Sequence, residues 1–120
     1  MSNGTVQFTV DLSIHDGKVG EFERIAQTMC ASSQNESGTL AYSWYLSDDR
    51  KWCRLIEVYT DAKAAFAHLT GPVVKELVPQ LLGVSKVTAF EVYGDPGPEA
   101  SEILLRFGAE VFKPWHGFNR

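Results

Sequence analysis

The stretch Glu57–Leu69 reads Glu-Val-Tyr-Thr-Asp-Ala-Lys-Ala-Ala-Phe-Ala-His-Leu and joins the end of a predicted strand to a predicted helix. Residues two apart in a strand share a face, so Glu57 and Tyr59 point the same way. Helical spacing places His68 and Leu69 on the apolar stripe of the helix. If that stripe packs on that strand face, a carboxylate, a phenol and an imidazole meet beneath one helix.

Alternation of apolar and polar residues predicts four strands, over residues 6–14, 39–46, 52–59 and 84–93. Apolar stripes with helical spacing fall after the first and third strands. The order is that of the ferredoxin-like βαββαβ plan, an α+β domain with a four-stranded antiparallel sheet and helices on one face.

Three residues mark the ends of the predicted helices. Asp16 and Asp61 each precede a helical pattern and are predicted N-caps, a role that contributes about 1 kcal/mol. Pro79 interrupts the apolar stripe of residues 73–82, and a proline inside a helix removes a backbone hydrogen bond. We therefore expect a kink or two short helical pieces there.

Apolar residues occur on both faces of the second and third strands, whereas a sheet with one face in water shows clean alternation. We therefore expect a second copy of the chain to cover the second face, sheet against sheet, in a dimeric α/β barrel. Arg54 lies on that face and is expected to form an ion pair across the homodimer, with Glu91 as its candidate partner.

The run Gly94-Asp95-Pro96-Gly97-Pro98 predicts the end of the core domain, which we assign to residues 4–94. Residues 95–120 then form a C-terminal extension that begins with a short helical pattern. This extension ends with three aromatic residues, Phe112, Trp115 and Phe118. Because a solvated tail does not favour such residues, we expect the extension to pack on the core or on a partner subunit.

Composition excludes several classes of function. The net charge of −4 and the lack of a Lys/Arg cluster argue against nucleic-acid and membrane partners. The first residues show no secretory pattern, which predicts a cytoplasmic protein with reduced cysteines. Cys30 and Cys53 are far apart and the chain has three histidines, so no metal-ligand spacing is present and no metal site is expected.

Glu57 is flanked by Leu55 and Ile56 in mid-strand, and an unpaired carboxylate buried there costs several kcal/mol. A partner is therefore expected. His68 is favoured because Arg54 points to the opposite face of the strand.

The segments Gly38–Tyr45 and Glu57–Ala64, followed by His68 and Leu69, resemble the antibiotic biosynthesis monooxygenase domain family. The resemblance covers roughly residues 6–94. It implies a dimeric α/β barrel and a small quinol or anthrone monooxygenase that needs no flavin, metal or other cofactor, because the substrate supplies the electrons.

The resemblance and the predicted contact together assign roles to five residues. His68 is the expected base and Glu57 its orienting carboxylate, while Tyr42, Trp44 and Tyr59 form walls around a small aromatic substrate. The alternative is that His68 only joins helix to strand and that the aromatic side chains are core residues. The protein is then a non-catalytic dimer that binds a small hydrophobic ligand, or an uncharacterised domain of the same fold.

Overall fold

Five strands form one mixed sheet, with the strand order β2-β3-β1-β4-β5, in a computed structural model that describes residues 4–120. The strands are β1 (Val6–Ile14), β2 (Thr39–Leu46), β3 (Trp52–Tyr59), β4 (Ser85–Tyr93) and β5 (Glu110–Phe112). The first four pair antiparallel, as predicted, whereas β5 runs parallel to β4. The ferredoxin-like α+β plan is confirmed, the fifth strand extends the predicted four-stranded sheet at one edge, and the sheet is not closed.

The helices pack on one face of this sheet. They are α1 (Val19–Ser33), α2 (Ala62–Leu69), a π-helical turn (Val73–Leu77), α3 (Val78–Leu81) and α4 (Gly97–Arg106). The predicted break is present, because the π-helical turn gives way to α3 and Pro79 lies in the first turn of α3. In the first turn of a helix the missing N–H of proline costs no hydrogen bond.

The two predicted N-caps differ in outcome. The carboxylate of Asp61 accepts a hydrogen bond of 2.8 Å from the backbone N–H of Ala64, so this prediction is confirmed. Helix α1 instead begins at Val19, after Lys18, and has no side-chain cap. The prediction for Asp16 is therefore wrong, because the turn after β1 continues two residues past it.

The core divides into two clusters. One lies between the sheet, α1 and α3 and includes Leu12, Phe22 and Leu55. The other lies beneath α2 and α4 and includes Phe8 and Tyr59. Tyr42 and Trp44, from β2, pack against the first cluster, whereas α2 belongs to the second. The candidate site lies where the two clusters adjoin.

Helix α4 packs on α2, and its Leu104 is fully buried in the second cluster. Strand β5 then returns the chain to the sheet, where the ring of Phe112 stacks on Tyr93 with centroids 5.5 Å apart. Beyond β5 the aromatic side chains are in solvent, since Trp115 is 94% exposed and Phe118 79% exposed. Within the C-terminal extension, α4 and β5 therefore pack on the rest of the domain, whereas the residues after Phe112 are largely exposed.

Among residues 4–120, no helix covers the second face of the sheet. Arg54 forms a bidentate ion pair with Asp11 on the neighbouring strand, with nitrogen–oxygen distances of 2.7 and 3.1 Å. Because β1 and β3 place Asp11 directly opposite Arg54, Arg54 has an ion-pair partner within the chain. The pairing of Arg54 with Glu91 of another copy stays a prediction. We call this surface the open face.

Two further observations bear on the sequence predictions. Cys30 and Cys53 are free thiols. Burial raises the pKa of the Cys53 thiol to about 11, so this thiol stays protonated at neutral pH and acts as a small core residue.

Within residues 4–120, no helix combines the length and the apolar character needed to cross a membrane.

Candidate functional site

His68 lies on the buried side of α2 and is only 3% exposed. Its two ring nitrogens face two carboxylates. Nδ1 is hydrogen-bonded to Oε1 of Glu36 at 2.9 Å, and Nε2 lies 3.4 Å from Oε1 of Glu57. The imidazole is therefore held from opposite sides, because its two nitrogens point in different directions.

Glu57 comes from the middle of β3 and is 5% exposed. Its Oε1 accepts a short hydrogen bond from the hydroxyl of Tyr59. Burial raises the pKa of Glu57, while the charge of His68 and the hydrogen bond from Tyr59 oppose this shift. The expected partner for Glu57 exists, but the residue that donates a hydrogen bond to it is Tyr59, and His68 makes the longer contact.

Tyr59 is fully buried, and its ring lies 5.2 Å from the imidazole of His68. Burial raises the pKa of this phenol, and the adjacent charge of Glu57 and the hydrogen bond to it raise the pKa further. The phenol is therefore a permanent donor near neutral pH. Tyr59 contributes a polar contact as well as the predicted aromatic wall.

Glu36, in the segment between α1 and β2, was not among the residues that the sequence predicted for the site. Its carboxylate also accepts a 2.8 Å hydrogen bond from the hydroxyl of Thr39, and its side chain is 22% exposed. A Cβ on Gly38 would lie 2.5 Å from the Cβ of Ala64, so only glycine lets this loop approach α2 so closely. That glycine is the one sequence signal that could have directed attention to Glu36.

Tyr42 lines the site from β2, where it lies opposite Glu57 in the sheet. Its ring is 5.6 Å from His68 and 5.8 Å from Trp44, each in a tilted or edge-on arrangement. Burial raises the pKa of the Tyr42 phenol, and the charges of Glu57 and Glu36 raise it further. Tyr42 and Tyr59 thus lie beside the imidazole on the side of β2 and β3, and Trp44 packs on Tyr42.

The indole N–H of Trp44 is buried and has no hydrogen-bond partner, the one such side-chain atom among residues 4–120. The indole packs edge-on against Phe22 of α1, with centroids 5.9 Å apart. Buried indole groups normally find an acceptor, and one without an acceptor costs about 1–3 kcal/mol. This N–H is therefore a buried donor without a protein acceptor among residues 4–120.

Four of the five residues predicted for the site, His68, Glu57, Tyr42 and Tyr59, are brought together around the imidazole. The fifth, Trp44, packs on Tyr42 and on Phe22. The described part of the chain contains no cluster of three His, Cys, Asp or Glu side chains suited to a metal ion. Two cavities of about 420 and 470 Å³ lie instead along the open face, next to Asp11 and Arg54. None of the five predicted residues lines either cavity.

Comparison with known protein families shows which family this chain matches. The sequence pattern of the antibiotic biosynthesis monooxygenase family matches residues 6–80, well over half of the chain. The chain belongs to the antibiotic biosynthesis monooxygenase family. Every residue of the site, from Glu36 to His68, lies inside the matched segment, and no curated protein matches the chain by sequence.

Solved structures share the fold. MupZ from Pseudomonas fluorescens is 21% identical, with a TM-score of 0.84, and the match covers 98% of this chain and 96% of that chain. SnoaB from Streptomyces nogalater, a cofactor-independent oxygenase, is 19% identical, with a TM-score of 0.69 and coverages of 81% and 97%. A conserved protein of unknown function from Bacteroides thetaiotaomicron is 18% identical, with a TM-score of 0.71 and coverages of 78% and 100%. The match to MupZ therefore extends into the C-terminal extension, whereas the other two leave about a fifth of the chain uncovered.

Proposed function

We propose that this family member is a cofactor-independent monooxygenase that oxidises a small aromatic substrate of the quinol or anthrone type with O2. The observation that carries the proposal is the buried imidazole of His68 between the carboxylates of Glu36 and Glu57, in a chain of this family. The fold shared with SnoaB, which is a cofactor-independent oxygenase, supports the same reaction type.

The proposed reaction needs no external reductant. A base removes a proton from the substrate, and the resulting electron-rich anion passes one electron to O2. The two radicals then combine to form a carbon–oxygen bond. For an anthrone, the CH2 group becomes a carbonyl, one oxygen atom of O2 stays in the product and the other leaves as water with the two hydrogen atoms. The protein supplies a base, a dry cavity and walls that orient the substrate.

In this proposal the unit of His68 and Glu57 accepts the substrate proton. Tyr42 and Tyr59 form the walls beside the imidazole, and the unpaired indole N–H of Trp44 donates a hydrogen bond to the oxygen atom of the substrate. That bond would stabilise the substrate anion, since a donor inside a low-dielectric site favours the charged form.

Oxygen uptake by metal-free and flavin-free protein with quinol and anthrone substrates tests the proposal. We expect His68→Ala to lower the rate by about 100-fold, the lower end of the range for a general base. His15→Ala is the matched control, because His15 is exposed and lies outside the site. Equal rates for wild type and His68→Ala above the background would exclude His68 as the base.

The second part of the proposal is a homodimer formed through the open face. Tyr45 and Trp52 are exposed on this face, at 57% and 50%, beside the pair of Arg54 with Asp11. A second copy stacked on this face would bury these rings and close the barrel. The uncovered end of the C-terminal extension, after Phe112, is a further surface for the same partner.

Sedimentation at micromolar concentration tests the dimer. We expect Ile56→Glu, in the middle of the open face, to convert a dimer to a monomer. Leu105→Glu serves as the control, because Leu105 is 69% exposed on α4, away from that face. A stable wild-type monomer would refute the proposal.

One observation favours the alternative of a non-catalytic protein that binds a small hydrophobic ligand. His68, Glu57 and Tyr59 are closed off, at 3%, 5% and 0% exposure. Calorimetric titration with a quinol under nitrogen distinguishes the two functions when it is followed by admission of oxygen. Binding without later oxygen uptake supports the alternative, and uptake above background supports the oxygenase.

A further inference from the structure

We propose that Glu36, His68 and Glu57 form a proton relay between the surface and the closed site, with Glu36 as its outer end. This inference rests on the proposed function, because it states how the buried base exchanges its proton with water during the reaction. Nothing in the sequence pattern or the family match assigns a role to Glu36.

The three groups form a continuous line. Glu36 precedes β2, His68 is on α2 and Glu57 is on β3, so three separate elements converge on the imidazole. The hydrogen bond from His68 to Glu36 is 2.9 Å, and the contact to Glu57 is 3.4 Å. The second distance is at the long end for proton transfer, as is common for catalytic contacts before substrate binds.

Exposure changes along this line. The side chain of Glu36 is 22% exposed, that of His68 is 3% exposed and that of Glu57 is 6% exposed. Glu36 is therefore the carboxylate of this pair that reaches water. A buried base without such a path could exchange protons with water only when the site opens.

Imidazole is suited to the middle position because it takes up a proton at one nitrogen while it releases one from the other. In the outward step, protonated Glu57 gives its proton to Nε2 of His68, and Nδ1 gives its proton to ionised Glu36. Glu57 becomes ionised, Glu36 becomes protonated and then releases the proton to water, and the imidazole is neutral before and after. The same steps in reverse return a proton to Glu57 for the water that the reaction forms, so the cycle releases no net proton, and no electron is transferred along this line.

The other titratable groups near the imidazole are poorer outlets. Tyr59 from β3 and Tyr42 from β2 face it, and Cys30 of α1 lies beside Tyr42. Burial and the adjacent carboxylates raise the pKa of each phenol. The phenols therefore keep their protons, and the carboxylate of Glu36 is the acceptor on the outer side.

A purely structural role for Glu36 would also explain the hydrogen bond, so the test must separate the two. Glu36→Gln keeps the size and an acceptor oxygen for Nδ1 but removes the group that can take up a proton. Glu36→Asp restores a carboxylate on a shorter side chain. Thr39→Val is the matched control, because it removes the hydrogen bond from Thr39 to Glu36 but leaves the carboxylate in place.

The first measurement needs no substrate. Nuclear magnetic resonance of 15N-histidine protein gives the rate at which the ring proton of His68 exchanges with water. The relay predicts that this exchange slows by about tenfold or more in Glu36→Gln, recovers at least partly in Glu36→Asp and is unchanged in Thr39→Val, since each step of acid–base transfer typically contributes at least that factor. Equal exchange rates in wild type and Glu36→Gln, with native circular dichroism for each protein, overturn the relay.

The second measurement is turnover. The relay predicts that kcat falls by about 100-fold in Glu36→Gln while KM stays the same, and that kcat recovers partly in Glu36→Asp. A rise in KM at constant kcat would assign Glu36 to structure alone and would overturn the proposal. If wild type consumes no oxygen but the exchange results hold, the proposed reaction fails and the relay stands.

Discussion

The two faces of the sheet hold two ionic groups that differ mainly in burial. On the closed face, His68 is 3% exposed and lies between Glu36 and Glu57. On the open face, the side chain of Arg54 is 60% exposed and pairs with Asp11 in a bidentate geometry. A buried ionic group is costly to desolvate and costly to break, whereas an exposed pair contributes little. Good hydrogen-bond geometry therefore does not separate the two groups, and the difference between them lies in their burial.

The largest expected effect comes from breaking the closed group. His68→Leu leaves Glu57 buried with Tyr59 as its remaining donor, and we expect the free energy of unfolding to fall by about 3 kcal/mol. Urea denaturation measures this loss. Arg54→Leu, on the open face, is the matched change and should cost below about 1 kcal/mol. Equal losses in the two variants would show that burial does not separate the two faces.

The second largest effect on stability is expected at Gly38, in the loop between α1 and β2 that carries Glu36 and lies against α2. A Cβ at Gly38 would lie 2.5 Å from Ala64, so Gly38→Ala should lower the free energy of unfolding by about 2 kcal/mol through overpacking. Gly20→Ala is the control, because nothing lies within 4 Å of a Cβ there and alanine favours the helix. Thermal denaturation of both proteins decides the question, and a neutral Gly38→Ala would contradict the close contact.

The pH dependence of stability tests the state of Glu57. Because burial raises its pKa in the folded protein above the ordinary 4.5, the unfolded chain ionises first as the pH rises. Between the two pKa values the native state binds more protons, so wild type loses stability relative to Glu57→Gln by up to about 1.4 kcal/mol per pH unit. Below the unfolded pKa this difference vanishes.

Urea denaturation from pH 4 to pH 7 measures this difference in free energy of unfolding. Glu110→Gln, on the exposed strand β5, removes a carboxylate of the same kind from the surface and should run parallel to wild type. Parallel curves for wild type and Glu57→Gln would mean that the pKa of Glu57 is the same in the folded and unfolded states, which would contradict the raised pKa.

The smallest effect belongs to the open face. Asp11→Asn removes the charge that pairs with Arg54, and we expect a loss below about 1 kcal/mol that shrinks further in high salt. Urea denaturation at low and high ionic strength measures it. A loss that persists in high salt would indicate that this pair is shielded from solvent, as it would be inside the proposed dimer.

The residue pattern was most informative where interactions are local. Glu57 and Tyr59 are two residues apart in a strand, and the next helix begins three residues later, so strand and helix periodicity were enough to bring both near His68. The sequence did not show that Tyr59 donates a hydrogen bond to Glu57. Its place on the strand face is the same whether its ring only lines the site or its hydroxyl also donates. Its hydroxyl direction depends on the side chains around it.

Contacts between residues distant in sequence could not be predicted in the same way. Glu36 meets His68 across 32 positions, and Arg54 meets Asp11 across 43. Strand β5 has three residues, too few for alternation to distinguish a strand from a loop. These features depend on how elements are placed against one another.

The sequence by itself therefore determined the order of the elements from β1 to β4, the face that each of their residues presents and the family. These follow from periods of 2 and 3.6 residues, which are properties of the local backbone. Only the tertiary structure decided that His68 has a carboxylate on each side, because register and helix packing depend on the whole core. The same packing left the indole N–H of Trp44 without a partner. It also placed Glu36 as the most exposed of the three groups Glu36, His68 and Glu57.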